Sequence, residues 1–136
     1  MKSLLELKRA VVLAPDDGAL RYALAEALFT EGEPGSAITQ LERALALTPE
    51  DDNARRLLAR CYEKTGDPAR AAKELELLAR RRPDDVSARD ELVGFFLQQG
   101  RPDDAILHAA EAVRLAPQDA KRSVFLAQLL LERRLT

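Results

Sequence analysis

Apolar residues recur along the chain at spacings of three and four, the period of a helix with one buried face. The pattern itself then repeats every 34 residues. Leu24, Leu58, Leu92 and Leu126 share one position, and Ala25, Ala59, Val93 and Ala127 share the next. Further along the same unit come Ala37, Ala71 and Ala105, then Leu7, Leu41, Leu75 and Ala109, then Ala10, Ala44, Leu78 and Ala112. The residues that break helices keep the same step. Pro15, Pro49, Pro83 and Pro117 form one series, while Pro34, Pro68 and Pro102 form a second, each preceded by Gly32, Gly66 or Gly100. Structure breakers on one lattice identify a tandem array.

Each breaker has a physical role. Acidic residues follow the first proline series (Asp16-Asp17, Glu50-Asp51-Asp52, Asp84-Asp85, and Asp119 after Gln118) and can cap the free N–H groups of a new helix. The glycines suit the left-handed residue that ends a helix. The second prolines suit a first helical turn, where the missing N–H does no harm. Ahead of them Asp67 is a good cap, Glu33 a poorer one and Arg101 poorer still. Each unit is therefore predicted to be helix, tight turn, helix. Residues 18–48, 52–82 and 86–116 make three full pairs, 1–14 a second helix without its first, and 120–134 a first helix without its second. The expectation is eight helices in a single domain over 1–136, with small residues letting paired helices approach closely.

With the first proline series numbered position 32 of the unit, the residues resemble the tetratricopeptide repeat. Leu stands at position 7, a small residue at 8, Tyr62 and Phe96 at 11, Ala at 20, a small residue at 27 and Pro at 32. The match runs in constant register over essentially the whole chain. There are departures. The family's frequent Trp at position 4 is replaced by Arg21, Arg55, Arg89 and Ser123, so those positions are either more exposed than usual or use the arginine stems to cover the neighbouring helix. Leu28 replaces the aromatic at position 11 of the first full unit, and Ala109 and Leu78 trade sizes at later positions. The pentatricopeptide family also uses helix pairs, but its usual unit of 35 and its basic, RNA-binding surfaces fit less well.

The resemblance implies an all-α, right-handed α–α solenoid whose concave groove holds a peptide or helix of a partner protein. At 100° per residue, positions 2, 5, 6, 9, 12 and 13 of each first helix lie opposite the face shared by 4, 7, 8 and 11. In this family that opposite face lines the groove. It carries Tyr22, Glu26 and Phe29, then Asn53, Arg56, Arg60 and Lys64, then Asp90, Glu91 and Gly94, and finally Lys121 and Phe125. Arg56, Arg60 and Lys64 are four apart on one helix, so they share a face. They could cradle a ligand carboxylate, or Asp90 and Glu91 on the next first helix could neutralise them. Tyr22 and Phe29 could pocket an apolar side chain or pack internally, and Gly94 could admit a bulky group at the groove floor. The carboxylate-binding set of the family's chaperone-binding members is not reproduced. Starting from the second unit, its positions read Arg56, Arg60, Glu91, Lys121 and Phe125.

Composition narrows the function further. Of 136 residues, 46% are hydrophobic but only 4% aromatic, with no Trp, so the core must come from Leu and Ala. The net charge is -2, from 23 acids and 21 bases, which argues against nucleic acid as the partner. One Cys and one His exclude a disulfide framework and a His-rich metal site. No apolar run is long enough for a membrane span or a signal peptide, so a cytoplasmic location is expected. Catalysis has little support. His108 reads as a solvated surface residue, Cys61 as a small buried hydrophobe, the carboxylate pairs as caps, and Arg80-Arg81-Arg82 as a helix end favoured by the dipole. A non-enzymatic interaction scaffold without cofactors is therefore the expectation.

Both terminal helices are apolar over more than one face: Leu4, Leu5, Leu7, Val11, Val12 and Leu13 at one end, Val124, Phe125, Leu126, Leu129, Leu130 and Leu131 at the other. Repeat arrays usually carry polar capping helices. The chain is therefore either a domain of a longer protein, such as the recruiting domain of an enzyme, or its ends meet partners. Thr136 falls at position 17 and Met1 at position 18, so two copies joined head to tail would complete a unit and form a homo-oligomer.

Overall fold

The lattice of prolines, glycines and acids punctuates the helices of the computed structural model, which describes residues 2–135. In chain order these are α1 (Leu4–Leu13), α2 (Gly18–Thr30), α3 (Pro34–Leu47), α4 (Asp52–Lys64), α5 (Pro68–Arg81), α6 (Ser87–Gln98), α7 (Pro102–Leu115) and α8 (Ala120–Leu135). Among the described residues there is no strand, so the fold is all-α, as expected. Met1 and Thr136, on which the head-to-tail counting rests, lie outside the described residues.

The acidic caps work as the sequence suggests. Asp17 accepts from the Leu20 N–H at 3.2 Å, Asp51 from Ala54 at 3.1 Å and Asp67 from Arg70 at 3.2 Å. Glu33 and Arg101 make no side-chain cap. At α6 the capping is shifted, with Asp85 accepting from both the backbone and the hydroxyl of Ser87. Each first helix of a full pair ends on a glycine with positive φ: +81° at Gly32, +80° at Gly66 and +69° at Gly100. The following N–H then reaches back five residues, from Glu33 to Leu28, Asp67 to Tyr62 and Arg101 to Phe96. This closure needs a left-handed residue, which glycine adopts without a Cβ penalty.

The structure divides between Glu74 and Leu75 into two compact units. In the first, α1 packs on α2, α2 on α3 and α3 on α4, and α2 also touches α4. Leu24, Leu28, Leu41 and Leu58 form its centre, and Ala25, Ala37, Ala59 and Ala71 are completely buried. Alanine at these seams permits close helix approach. Burying each leucine stabilises by about 1.5–3 kcal/mol. In the second unit α6 packs on α7 and α7 on α8 around Leu92, Phe96, Ala105 and Ala112.

The arginines that replace the family's Trp are tucked in, so the covering alternative is the correct one. Arg21 is 6% exposed. Its Nε donates to the Pro15 carbonyl at 2.7 Å and its Nη1 to Gln40 Oε1 at 2.8 Å. Arg55 repeats the arrangement, donating from Nη2 to the Pro49 carbonyl and from Nη1 to Glu74 Oε2, both at 2.8 Å. Arg89 makes the third version, with Nη1 3.3 Å from His108 Nδ1. In every case the second-helix partner lies 19 residues further on.

That contact corrects the reading of His108 as a solvated surface residue. The ring is half-buried and stacks on Phe96, with centroids 5.6 Å apart and planes at 12°. Position 23 on a wheel points away from the leucine stripe, but the adjacent first helix supplies both the aromatic face and the arginine. Burial first, and then the Arg89 charge, lower the His108 pKa below its ordinary value, with Glu76, Asp104 and Glu111 opposing.

Arg55→Ala should destabilise the fold by about 2 kcal/mol, because it strands a shielded carboxylate and a carbonyl. A denaturant melt beside Glu74→Gln, which keeps an acceptor, measures this. The histidine gives a pH dependence of defined sign. Its folded pKa lies below the unfolded value, so its contribution is fully present above about pH 6.5 and is lost as pH falls through the folded pKa. His108→Gln, which copies the Arg21–Gln40 pair, should flatten this slope in melts between pH 7 and 5.

Candidate functional site

The residues at positions 7, 8 and 11 of α2, α4 and α6 are buried, and the candidate binding residues lie on the opposite face. In the first unit it carries Tyr22, Glu26 and Phe29 on α2, and Asn53, Arg56, Arg60 and Lys64 on α4. Contact between α2 and α4 brings two predicted residues together: the Arg60 guanidinium lies 5.1 Å from the centre of the Phe29 ring. Phe29 and Tyr22 are half-buried, while Glu26, Asn53, Arg60 and Lys64 are exposed. Burial, followed by the Glu26 and Asp51 carboxylates, raises the Tyr22 phenol above its usual pKa, and Arg60 acts in the opposite sense. The surface is thus an aromatic platform with a cation across it and carboxylates at one edge. Arg60 and Lys64 have no ion-pair partner among the described residues.

In the second unit Asp90 and Gly94 on α6 and Lys121 and Phe125 on α8 line one cleft of about 500 Å³. Val93, Ala109 and Ala112 complete its apolar wall, and Asp119 and Arg122 its rim. Asp90 grips Arg122 with both oxygens, Oδ2 to Nη2 at 2.6 Å and Oδ1 to Nε at 3.2 Å, and Arg122 also pairs with Asp119. Asp90, weighed from the sequence as a neutraliser of the α4 cations, is held by Arg122. Glu91 is half-buried and does not line the cleft.

Arg122 was missed because it lies at position 3, between the groove face and the buried face. Ala109 carried a legible signal, since three other units place leucine at its position. That loss of side-chain volume on α7, combined with Gly94 on α6, leaves the space beneath Phe125.

The remaining chemistry is quiet. Cys61 is fully buried and its thiol is pushed up to about 11 by burial, which suits a core hydrophobe rather than a nucleophile. Among the described residues no group of three or more His, Cys, Asp or Glu is placed to hold a metal ion. Nor is any described helix long and apolar enough to cross a membrane.

Comparison with known proteins agrees with the repeat reading. Two tetratricopeptide-repeat profiles match the sequence, one over residues 28–93 and the other over 2–52 and 96–134. No curated protein matches it. Among solved structures the chain is similar to MamA, with a TM-score of 0.81 and 16% identity over 97% of this chain and 77% of that one. A thermophilic tetratricopeptide-repeat protein of Thermus thermophilus superposes with a TM-score of 0.69 and 24% identity, over 94% of this chain and 71% of that one. The Cut9–Hcn1 hetero-tetramer of APC/C gives 0.72 and 20%, over 92% of this chain and 26% of the other. These likenesses establish an all-α repeat solenoid fold.

Removing either half of the Arg60–Phe29 contact tests the platform. Phe29→Leu removes the ring beneath Arg60 while keeping apolar volume, so stability should fall by no more than about 1.5 kcal/mol. A double-mutant cycle with Arg60→Ala should give a coupling of about 0.5–1 kcal/mol, and a coupling of zero would remove the contact.

Proposed function

Because the chain belongs to the tetratricopeptide-repeat family, we propose that it is a non-enzymatic scaffold whose first-helix faces hold a peptide or helix of a partner protein. The observation that carries this reading is the state of the α2 and α4 surface. Arg60 and Lys64 stand exposed and without ion pairs among the described residues, beside a Phe29 ring that is only partly covered. A cation over an aromatic platform binds an extended or helical segment through its carboxylates and its apolar groups together. The Cut9–Hcn1 assembly, a hetero-tetramer, lends the scaffold role further support.

A second reading, self-assembly through the terminal helices, draws on exposed apolar groups. Val12 and Leu13 on α1 are 78% and 86% exposed, and α8 exposes Val124, Leu130, Leu131 and Leu135. Both surfaces are basic, through Lys8 and Arg9 on one and Lys121 and Arg134 on the other. Contact between two such surfaces would be strengthened by salt, which screens the repulsion.

Pull-down of a partner followed by titration with Arg60→Glu and Lys64→Glu tests the first reading. Each reversal should weaken binding about tenfold or more while the thermal melt stays within a few degrees, and undiminished binding by both would sink the groove assignment. For the second reading, sedimentation at rising protein concentration should show association that grows with salt. A strict monomer throughout removes it.

A further inference from the structure

Two first helices carry an aromatic ring at the position where the first full unit has leucine. Each ring sits among recognisable partners. The Tyr62 hydroxyl lies 3.5 Å from a Glu42 carboxylate oxygen, and the Arg70 guanidinium lies 5.8 Å from the ring centre. The Phe96 ring stacks on His108, with the Arg101 guanidinium 4.7 Å from its centre. One or two repeats earlier, the positions of Glu42, Arg70, His108 and Arg101 are Lys8, Ser36, Gln40 and Glu33, and the ring position is Leu28. All five of these residues line one pocket of about 300 Å³ between α1, α2 and α3. Val11, Val12 and Leu24 form its apolar wall. The pocket is thus the ring socket of the other units, occupied here by a shorter side chain.

The lining sets the chemistry of a guest. Lys8 and Glu33 carry opposite charges, so the rim calls for no net charge. Gln40, held at 2.8 Å by Arg21, offers a planar amide where His108 offers an imidazole. A flat ring entering this space displaces water from the valine and leucine wall. We propose that the pocket binds an uncharged aromatic side chain, phenylalanine or tyrosine, of a partner protein segment. The ring comes attached to a polypeptide because the apolar surface continues past the socket. A neighbouring cleft lined by Lys8, Arg9, Val12 and Leu13 shares Lys8 and Val12 with it, and Val12 and Leu13 are 78% and 86% exposed. A free ring leaves that surface in water, whereas the residues flanking a ring in a protein segment cover it. The proposal rests on the interaction-scaffold reading for the nature of the partner and adds a second surface, since Leu24 and Leu28 belong to the face of α2 opposite Tyr22, Glu26 and Phe29.

Methyl NMR of the full 136-residue chain, titrated with the N-acetyl amides of phenylalanine, tyrosine and leucine, reads the socket directly. The aromatic amides should shift the methyl signals of Val11, Val12, Leu24 and Leu28, with the leucine amide binding about fivefold more weakly. Leu28→Phe supplies an internal ring as Phe96 does, so it should melt at or above the wild-type temperature and bind the amides about tenfold more weakly or worse. Ser36→Arg, at an exposed position, copies Arg70 and should tighten aromatic binding about two- to fivefold. It decides the matter should Leu28→Phe fold poorly. A displayed library of random dodecapeptides separates the sources. Enriched peptides should carry phenylalanine or tyrosine, bind more tightly than the free amides and be lost on Leu28→Phe. Equal binding of the leucine amide, or unchanged aromatic binding in the deciding variant, overturns the proposal. So does a socket that takes free amides while no peptide improves on them. Methyl shifts that grow with the concentration of the pure chain and vanish on Leu28→Phe assign the socket to a second copy and overturn the partner segment. Peptide binding that is lost on Arg60→Glu and indifferent to both socket variants overturns this site while leaving the scaffold reading intact.

Discussion

Three helix pairs depend on one arginine each. The constraint begins with the proline that separates successive pairs. Pro15 and Pro49 lie outside the helices, so their carbonyls accept no bond from an ordinary helical turn and must be satisfied from elsewhere. The following arginine, six residues on, donates to that carbonyl with one nitrogen and spans to the second helix with another. A guanidinium can serve both because its donors form a rigid planar fork, and an ammonium would lose that geometry. The linker, the first helix and the second helix are thereby tied at one point, where an indole would supply area but a single donor. Ser123 occupies this position in the last first helix and has no reach for the same task.

The second-helix partner of that arginine varies while its position does not. Gln40, Glu74 and His108 offer a neutral amide, a carboxylate and an imidazole to the same guanidinium. The fold needs an acceptor there and tolerates its charge state. The carboxylate adds Coulomb attraction to a shielded site, whereas the histidine accepts only when Nδ1 is unprotonated. The histidine version is tied to pH through the lowered pKa of His108.

What was legible in the sequence follows from how local each determinant is. Helix ends are fixed within a few residues by glycine conformation, proline and acidic caps, so the eight-helix order was readable. Burial of Leu24, Leu41, Leu58 and Leu92 follows from periodicity alone. His108 was misplaced because its cover, Phe96 and Arg89, comes from a neighbouring helix and is invisible to a single-helix wheel. The arginine alternatives stayed open for the same reason, since exposure depended on a partner 19 residues away. At the candidate site, four residues of the predicted face, Asp90, Gly94, Lys121 and Phe125, line one cleft. The prediction missed Arg122, because a wheel sorts residues by direction and carries no information on the reach of a long side chain.

Ala109 connects stability with the site. In cores generally, truncating leucine to alanine forgoes about 2–5 kcal/mol, and the forfeit is smaller where the position is open to solvent. An array can accept such a loss because its stability sums over repeated interfaces, and no single position decides it. The helix above this gap is held differently from the other first helices. Leu129 is the one buried residue among those described in α8. The rest of its attachment includes ion pairs of Arg122 with Asp90 and Asp119, and of Arg133 with Asp103. Such partly exposed pairs contribute roughly 0–1 kcal/mol each, and less as salt rises. Helix α8 is accordingly secured mainly by the burial of Leu129, and the charge contacts add direction at small energy. Those contacts fix where the helix sits along its neighbours, while the apolar surface that would normally seal it stays available at the mouth of the cleft.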